Sequence, residues 1–124
     1  ELPSDRTYRV FQIEGESMLP IPPKSYVISE YVQDWTDLKT DERYVFLTQD
    51  EGVVFKRVRE HPHKQSYEMI SDNPAFKPYM VHRSQILEVW KVKGVISFDL
   101  DAFQGGSASM NEVMAAIKRI ENKL

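Results

Sequence analysis

The chain has 124 residues, 41% of them hydrophobic, carries a net charge of −3 and contains no cysteine. This length suits one domain with its own core, and the missing cysteines exclude disulfides, thiolate nucleophiles and thiolate metal sites, as a reducing cytoplasm permits. The acidic balance argues against a surface that grips nucleic acid unaided, while the lack of any run of about eighteen apolar residues or of a signal-peptide pattern points to a soluble, unexported chain.

Residues 1–7 are polar, contain Pro3 and read as an arm; a first residue of Glu1 rather than methionine suggests part of a larger protein. Tyr8-Arg9-Val10-Phe11-Gln12-Ile13 alternates apolar and polar residues, which predicts a strand. It runs into Gly15-Glu16-Ser17-Met18-Leu19-Pro20 and then Ile21-Pro22-Pro23. A glycine followed by a small hydroxyl residue places Ser17 where the backbone turns sharply. N–H groups in such a turn lack ladder partners and are free to point at a ligand oxygen. The simpler reading of Ser17 is a turn serine that caps its own backbone. Met18 and Leu19 are expected to pack.

Tyr26-Val27-Ile28-Ser29-Glu30-Tyr31-Val32 is rich in β-branched and aromatic residues and predicts a second strand. Gln33 to Arg43 reads as a loop anchored by Trp35 and Leu38. Its Asp34, Asp37, Asp41 and Glu42 lack the glycine and ligand spacing of a calcium loop and read as a solvated face. Tyr44–Thr48 and Val53–Val58 flank Gln49-Asp50-Glu51-Gly52 and predict a hairpin, with Gly52 supplying the turn geometry.

In that second hairpin strand Val54, Lys56 and Val58 share one face, and Val53, Phe55 and Arg57 the other. A lysine between valines on a buried face loses hydration of its charged form, so its pKa falls. Lowering it from about 10.4 to about 7 costs about 4–5 kcal/mol, a large part of a small domain's stability. Chemistry is one reason to accept that cost. The other reading places the strand at an edge, with Lys56 reaching water.

Gln65–Ser71 predicts a further strand, preceded by a loop with His61-Pro62-His63, two histidines without a third metal ligand. Tyr79-Met80-Val81 and Ile86–Phe98 complete the strands, with Gly94 a candidate bulge. Many short strands and little helix before residue 99 predict a mainly β, partly closed architecture. Residues 99–106, with Gly105-Gly106, read as a flexible joint. Ser109-Met110-Asn111-Glu112 is a capping box. Met110, Val113, Ile117, Ile120 and Leu124 then follow at spacings of three and four, the seam of a short amphipathic helix. Two heptads are marginal alone, so this helix is expected to pack on a partner copy or on its own sheet.

Ser17 and Lys56 together suggest a Ser–Lys pair, in which a neutral amine takes the hydroxyl proton and returns it to a leaving amine. Here the chain resembles the LexA-like self-cleaving repressors and UmuD-like proteins of the S24 peptidase family. Three stretches carry the resemblance: Gly15-Glu16-Ser17-Met18, Val54-Phe55-Lys56-Arg57-Val58 and Asp72-Asn73-Pro74-Ala75-Phe76-Lys77-Pro78. It covers roughly residues 8–98 and implies a LexA/signal-peptidase-like β-fold. The C-terminal helix rests on periodicity alone.

What the resemblance implies is a peptidase and dimerisation domain over residues 1–98, with 99–124 as joint and helix. Ser17 is the implied nucleophile and Lys56 the general base and acid. The backbone N–H of Ser17, with that of Glu16, is the implied oxyanion donor; no cofactor or metal is implied. Similar proteins dimerise through their last strands, bind operator DNA through an N-terminal helix-turn-helix domain and are cut when RecA filaments signal damage. Three features depart from the pattern. No Ala-Gly pair for a cleavage site occurs, Lys24-Ser25 replaces a Gly-Asp turn, and the Glu16 charge is placed to pair with Lys56 and hold it protonated. Two further readings therefore stay open: a non-cleaving dimerisation and sensing module, and a signal-peptidase-like processing enzyme. The latter shares a Ser-Met-x-Pro motif and a Lys-Arg-Val strand but normally needs a membrane anchor.

Overall fold

The computed structural model describes residues 6–97, so the expected joint and helix over 99–124 lie outside the described residues. Seven strands form one antiparallel sheet: β1 (Tyr8–Gln12), β2 (Tyr26–Val32), β3 (Arg43–Thr48), β4 (Gly52–His61), β5 (Ser66–Ile70), β6 (Tyr79–His82) and β7 (Ile86–Ile96). Their spatial order is β1-β2-β7-β3-β4-β5-β6, which leaves β1 and β6 at the edges. Three short 3-10 turns, Trp35–Asp37, Pro62–Lys64 and Arg83–Gln85, are the helical pieces among the described residues. The mainly β expectation holds.

Apolar runs rather than strict alternation mark the central strands because both of their faces are covered. Val45 lies opposite Phe55 on one side and Trp90 on the other, a row across β4, β3 and β7. That row packs with Phe11, Ile13, Met18 and Val27. The next row, Val54–Phe46–Val89, belongs to a second core with Tyr44, Val58, Tyr67, Met69, Val81 and Ile86. Trp35 and Leu38 pack against this second core, as the loop anchors they were read to be. Burying a side chain of this size contributes roughly 1.5–3 kcal/mol, and two such layers flank the strand that carries Lys56.

Two register shifts bend β7. Ile28 pairs with Gly94 and Ser29 with Val92, so Lys93 is the extra residue, one position from the expected bulge. Leu47 pairs with Glu88 and Thr48 with Ile86, which leaves Leu87 unpaired and exposed. Extra residues of this kind increase local twist.

One feature of β4 positions the site. Residues 52–57 pair with β3, whereas 57–61 pair with β5. The β5-facing edge of Gly52–Lys56 therefore has no β5 partner. After Ile70 the chain turns away, and the loop that follows crosses to the segment after β1.

Candidate active site

The segment after β1 is held before it reaches the serine. Ile13 N–H donates to the Ser25 carbonyl at 2.9 Å, and Lys24 N–H donates to the Ile13 carbonyl at 2.9 Å. Gly15 then takes φ +77°, a left-handed geometry that a Cβ disfavours. Leu19 N–H donates to the Glu16 carbonyl at 3.2 Å and closes the turn. Met18 anchors it, 2% exposed in the core with Phe11, Trp90 and Phe55. Leu19, expected to pack, is instead 36% exposed, because the turn directs Met18 rather than its neighbour into that core.

The loop after β5 braces the same turn. Asn73 N–H donates to the Ser17 carbonyl at 2.9 Å. Its side-chain amide donates to the Glu16 carbonyl at 3.0 Å, and Asp72 N–H donates to Met18 Sδ at 3.3 Å. The Asp72 carboxylate fixes this loop to the sheet by accepting from Arg43 Nε at 2.9 Å and Arg57 Nε at 2.6 Å. Burial alone raises a carboxyl pKa, but the two guanidinium hydrogen bonds outweigh it and hold Asp72 below the usual range.

Ser17 and Lys56 meet, thirty-nine positions apart in the chain: Lys56 Nζ donates to Ser17 Oγ at 2.5 Å. Lys56 is 7% exposed, which excludes the water-reaching edge lysine. Desolvation pulls its pKa down from 10.5; the carboxylates of Glu51 and Asp72 oppose that pull without reversing it. The expected pairing of Glu16 with Lys56 is not formed. Glu16 is exposed, and the charges that act on the amine come from the β3–β4 turn and the loop after β5. Among the described residues, none accepts from the backbone N–H of Glu16 or Ser17.

Two cavities flank the pair. One, of about 210 Å³, lies between Gln12–Gly15 and the start of β4 at Val53–Phe55. The other, of about 330 Å³, lies toward Ser71, Phe76 and Lys77. Gly15, Ser17, Glu51, Lys56 and Tyr79 line both. Sequence reasoning missed Glu51 and Tyr79, which carried no motif, and gave Asp72 and Asn73 only as part of a stretch that carries the family resemblance.

Three of the groups considered as metal ligands have other partners. Asp34 accepts from Thr36 N–H at 3.0 Å and from its hydroxyl at 2.7 Å, Glu42 pairs with Lys91 at 3.0 Å, and His61 Nε2 lies 2.9 Å from Glu68. Among the described residues no three His, Asp or Glu side chains are grouped to hold a metal, and no helix is long and apolar enough to cross a membrane. No curated protein matches the chain. Its residues 2–96, more than half its length, match the family model described as Peptidase S24-like, the family that the Ser17 turn, the Lys56 strand and the Asp72–Pro78 loop had suggested. The chain belongs to the S24-like peptidases.

Proposed function

We propose that this domain cuts a peptide bond in its own chain through Ser17 and Lys56. The observation that carries this reading is the 2.5 Å contact between Nζ and Oγ, made by a lysine that burial favours as the neutral amine. Ser17 Oγ attacks the scissile carbonyl carbon as its proton passes to the Nζ lone pair. The N–H groups of Ser17 and Glu16 receive the oxyanion. Collapse breaks the C–N bond, and the Lys56 ammonium returns the proton to the departing amine. Water then attacks the Ser17 ester, giving its proton to Lys56, and the acid is released as Oγ is reprotonated.

Around this chemistry we place a LexA-like transcriptional regulator of the SOS type, acting in the cytoplasm on the partly closed β-fold of those repressors. Residues 1–98 form its peptidase and dimerisation domain. A homodimer forms through the last strands, and a preceding helix-turn-helix domain binds operator DNA. A RecA filament triggers the cut, which separates the two halves. Family membership supports this wider picture.

A second reading, a dimerisation and sensing module that does not cleave, draws support from Glu51 and Asp72, whose charges favour protonated Lys56. One experiment separates the readings. The full-length protein is incubated at mildly alkaline pH, with and without RecA filament, beside Ser17→Ala and Lys56→Ala. Fragmentation of wild type upstream of Tyr8, with both variants intact, is expected. An intact wild type under every condition favours the sensing module, and cleavage of an added exported precursor favours a processing enzyme.

A further inference from the structure

Five residues separate the two cavities, and they include two bonded pairs. One is Ser17 with Lys56. The other is Glu51 with Tyr79, whose hydroxyl donates to Glu51 Oε2 at 3.1 Å across twenty-eight positions of sequence. The mechanism leaves this second pair without a task. Its geometry is fixed from both ends. Glu51 N–H donates to Thr48 Oγ1 at 3.0 Å, and Gly52 takes φ +72°, so the β3–β4 turn holds the carboxylate in place. Tyr79 opens β6, with its ring packed against the core that contains Val54 and Val58.

We propose that Glu51, held by Tyr79, is a positioning residue that sets the charge state of Lys56 and thereby the pH at which cleavage begins. This rests on the peptidase reading above.

Several other charges surround the amine. Asp72 reaches it from the loop after β5, but two guanidiniums already offset that charge. Glu16 and Lys77 line the larger cavity, and Glu14 the smaller. Glu51 lines both cavities, and no described lysine or arginine pairs with it. Its field is therefore the less compensated of the two that oppose desolvation of Lys56. Burial, followed by the neighbouring Glu51 charge, drives the Tyr79 hydroxyl far above its ordinary range, so it remains a donor wherever the lysine titrates. Any chain that threads from one cavity to the other over Ser17 meets this bridge.

The test measures self-cleavage of the full-length protein against pH, together with the Lys56 titration read from its 13Cε resonance, in wild type, Glu51→Gln, Glu51→Asp and Tyr79→Phe. Glu51→Gln is expected to lower both midpoints by about half a unit, the scale of one charge acting through partly solvated surroundings, and to speed cleavage about threefold below the midpoint. Glu51→Asp, which keeps the charge, is expected to move both midpoints back toward wild type. Tyr79→Phe, which frees the carboxylate, is expected to shift them in the same direction as Glu51→Gln but by less. Unmoved midpoints in Glu51→Gln, with a wild type that cleaves, overturn the proposal and leave the peptidase reading intact. A shifted Lys56 titration in a protein that never cleaves overturns the peptidase reading and leaves the effect of Glu51 on the amine standing.

Discussion

Asn73 holds Ser17 from the far side of the site. Its backbone N–H donates to the Ser17 carbonyl and its side-chain amide to the Glu16 carbonyl, at 2.9 and 3.0 Å. The same side chain accepts from Ala75 N–H at 3.0 Å, so one residue ties the loop after β5 to itself and to the serine turn. Position of Oγ relative to Nζ thus depends on a residue that touches neither.

Replacing Asn73 by Ala removes the side-chain contacts and leaves the backbone one. Stability is expected to fall by about 1–2 kcal/mol, as for one or two ordinary hydrogen bonds. Self-cleavage is expected to fall about tenfold or more, because small misplacements of reacting groups are costly. Urea unfolding and a cleavage time course check the two separately. Equal cleavage rates in the two proteins refute the positioning role.

Lys56→Met keeps the length of the side chain and removes its titration. The folded-state pKa of Lys56 lies below its ordinary 10.5, so the unfolded chain binds more protons between those two values. Stability from this group therefore rises with pH through that window, and its penalty is fully present below it. Wild type is expected to gain stability relative to Lys56→Met between pH 7 and pH 10, and the variant to be the more stable at pH 7. Denaturation in urea at both pH values gives the difference, in which the tyrosine titrations cancel. The variant is also expected to leave the chain uncut.

The Asp72 clamp has the opposite pH signature. Its folded pKa lies below 3.8, so its contribution is present above the unfolded value and disappears as pH falls through the folded one. Asp72→Asn is expected to cost about 2 kcal/mol at pH 7, less than a fully buried pair because both arginines keep partial access to water. At pH 3 the gap between the two proteins is expected to narrow. Chemical denaturation at the two pH values decides.

Lys24 occupies the position where the family resemblance expects a glycine, and it takes φ +67°. A left-handed conformation costs a residue with a Cβ about 1–2 kcal/mol. Lys24→Gly is expected to stabilise the domain, by about 0.5–1 kcal/mol after the added freedom of the unfolded chain is subtracted. A thermal melt reads the change, and a lower Tm refutes it.

Much of this architecture was legible because burial repeats along the strands. Tyr26–Val32 was bounded correctly by its β-branched and aromatic content, and Val54 and Val58 were placed on one face of β4 by alternation. The three polar residues that extend β4 beyond Val58 were not legible. Arg59, Glu60 and His61 are held in the strand by pairing with Glu68, Tyr67 and Ser66, which overrides their own preferences. Lys56 announced itself as a charge between valines, and Ser17, ordinary for a turn, became legible only beside it. Glu51 and Tyr79 are ordinary in theirs, and nothing periodic links a hairpin turn to a distant strand end. The guess that Glu16 would supply the opposing charge followed chain proximity, whereas the fold brings in Glu51.

The change of partner along β4 leaves an opening beside the Ser17 turn. Gly52–Lys56 forgoes the cross-links that a longer β5 would provide, and the serine turn occupies the vicinity instead. A β5 longer by two or three residues would give a sturdier sheet and crowd the turn that brings Ser17 to Lys56. On the proposed mechanism, a sturdier sheet and an open nucleophile place opposing demands on this one interval.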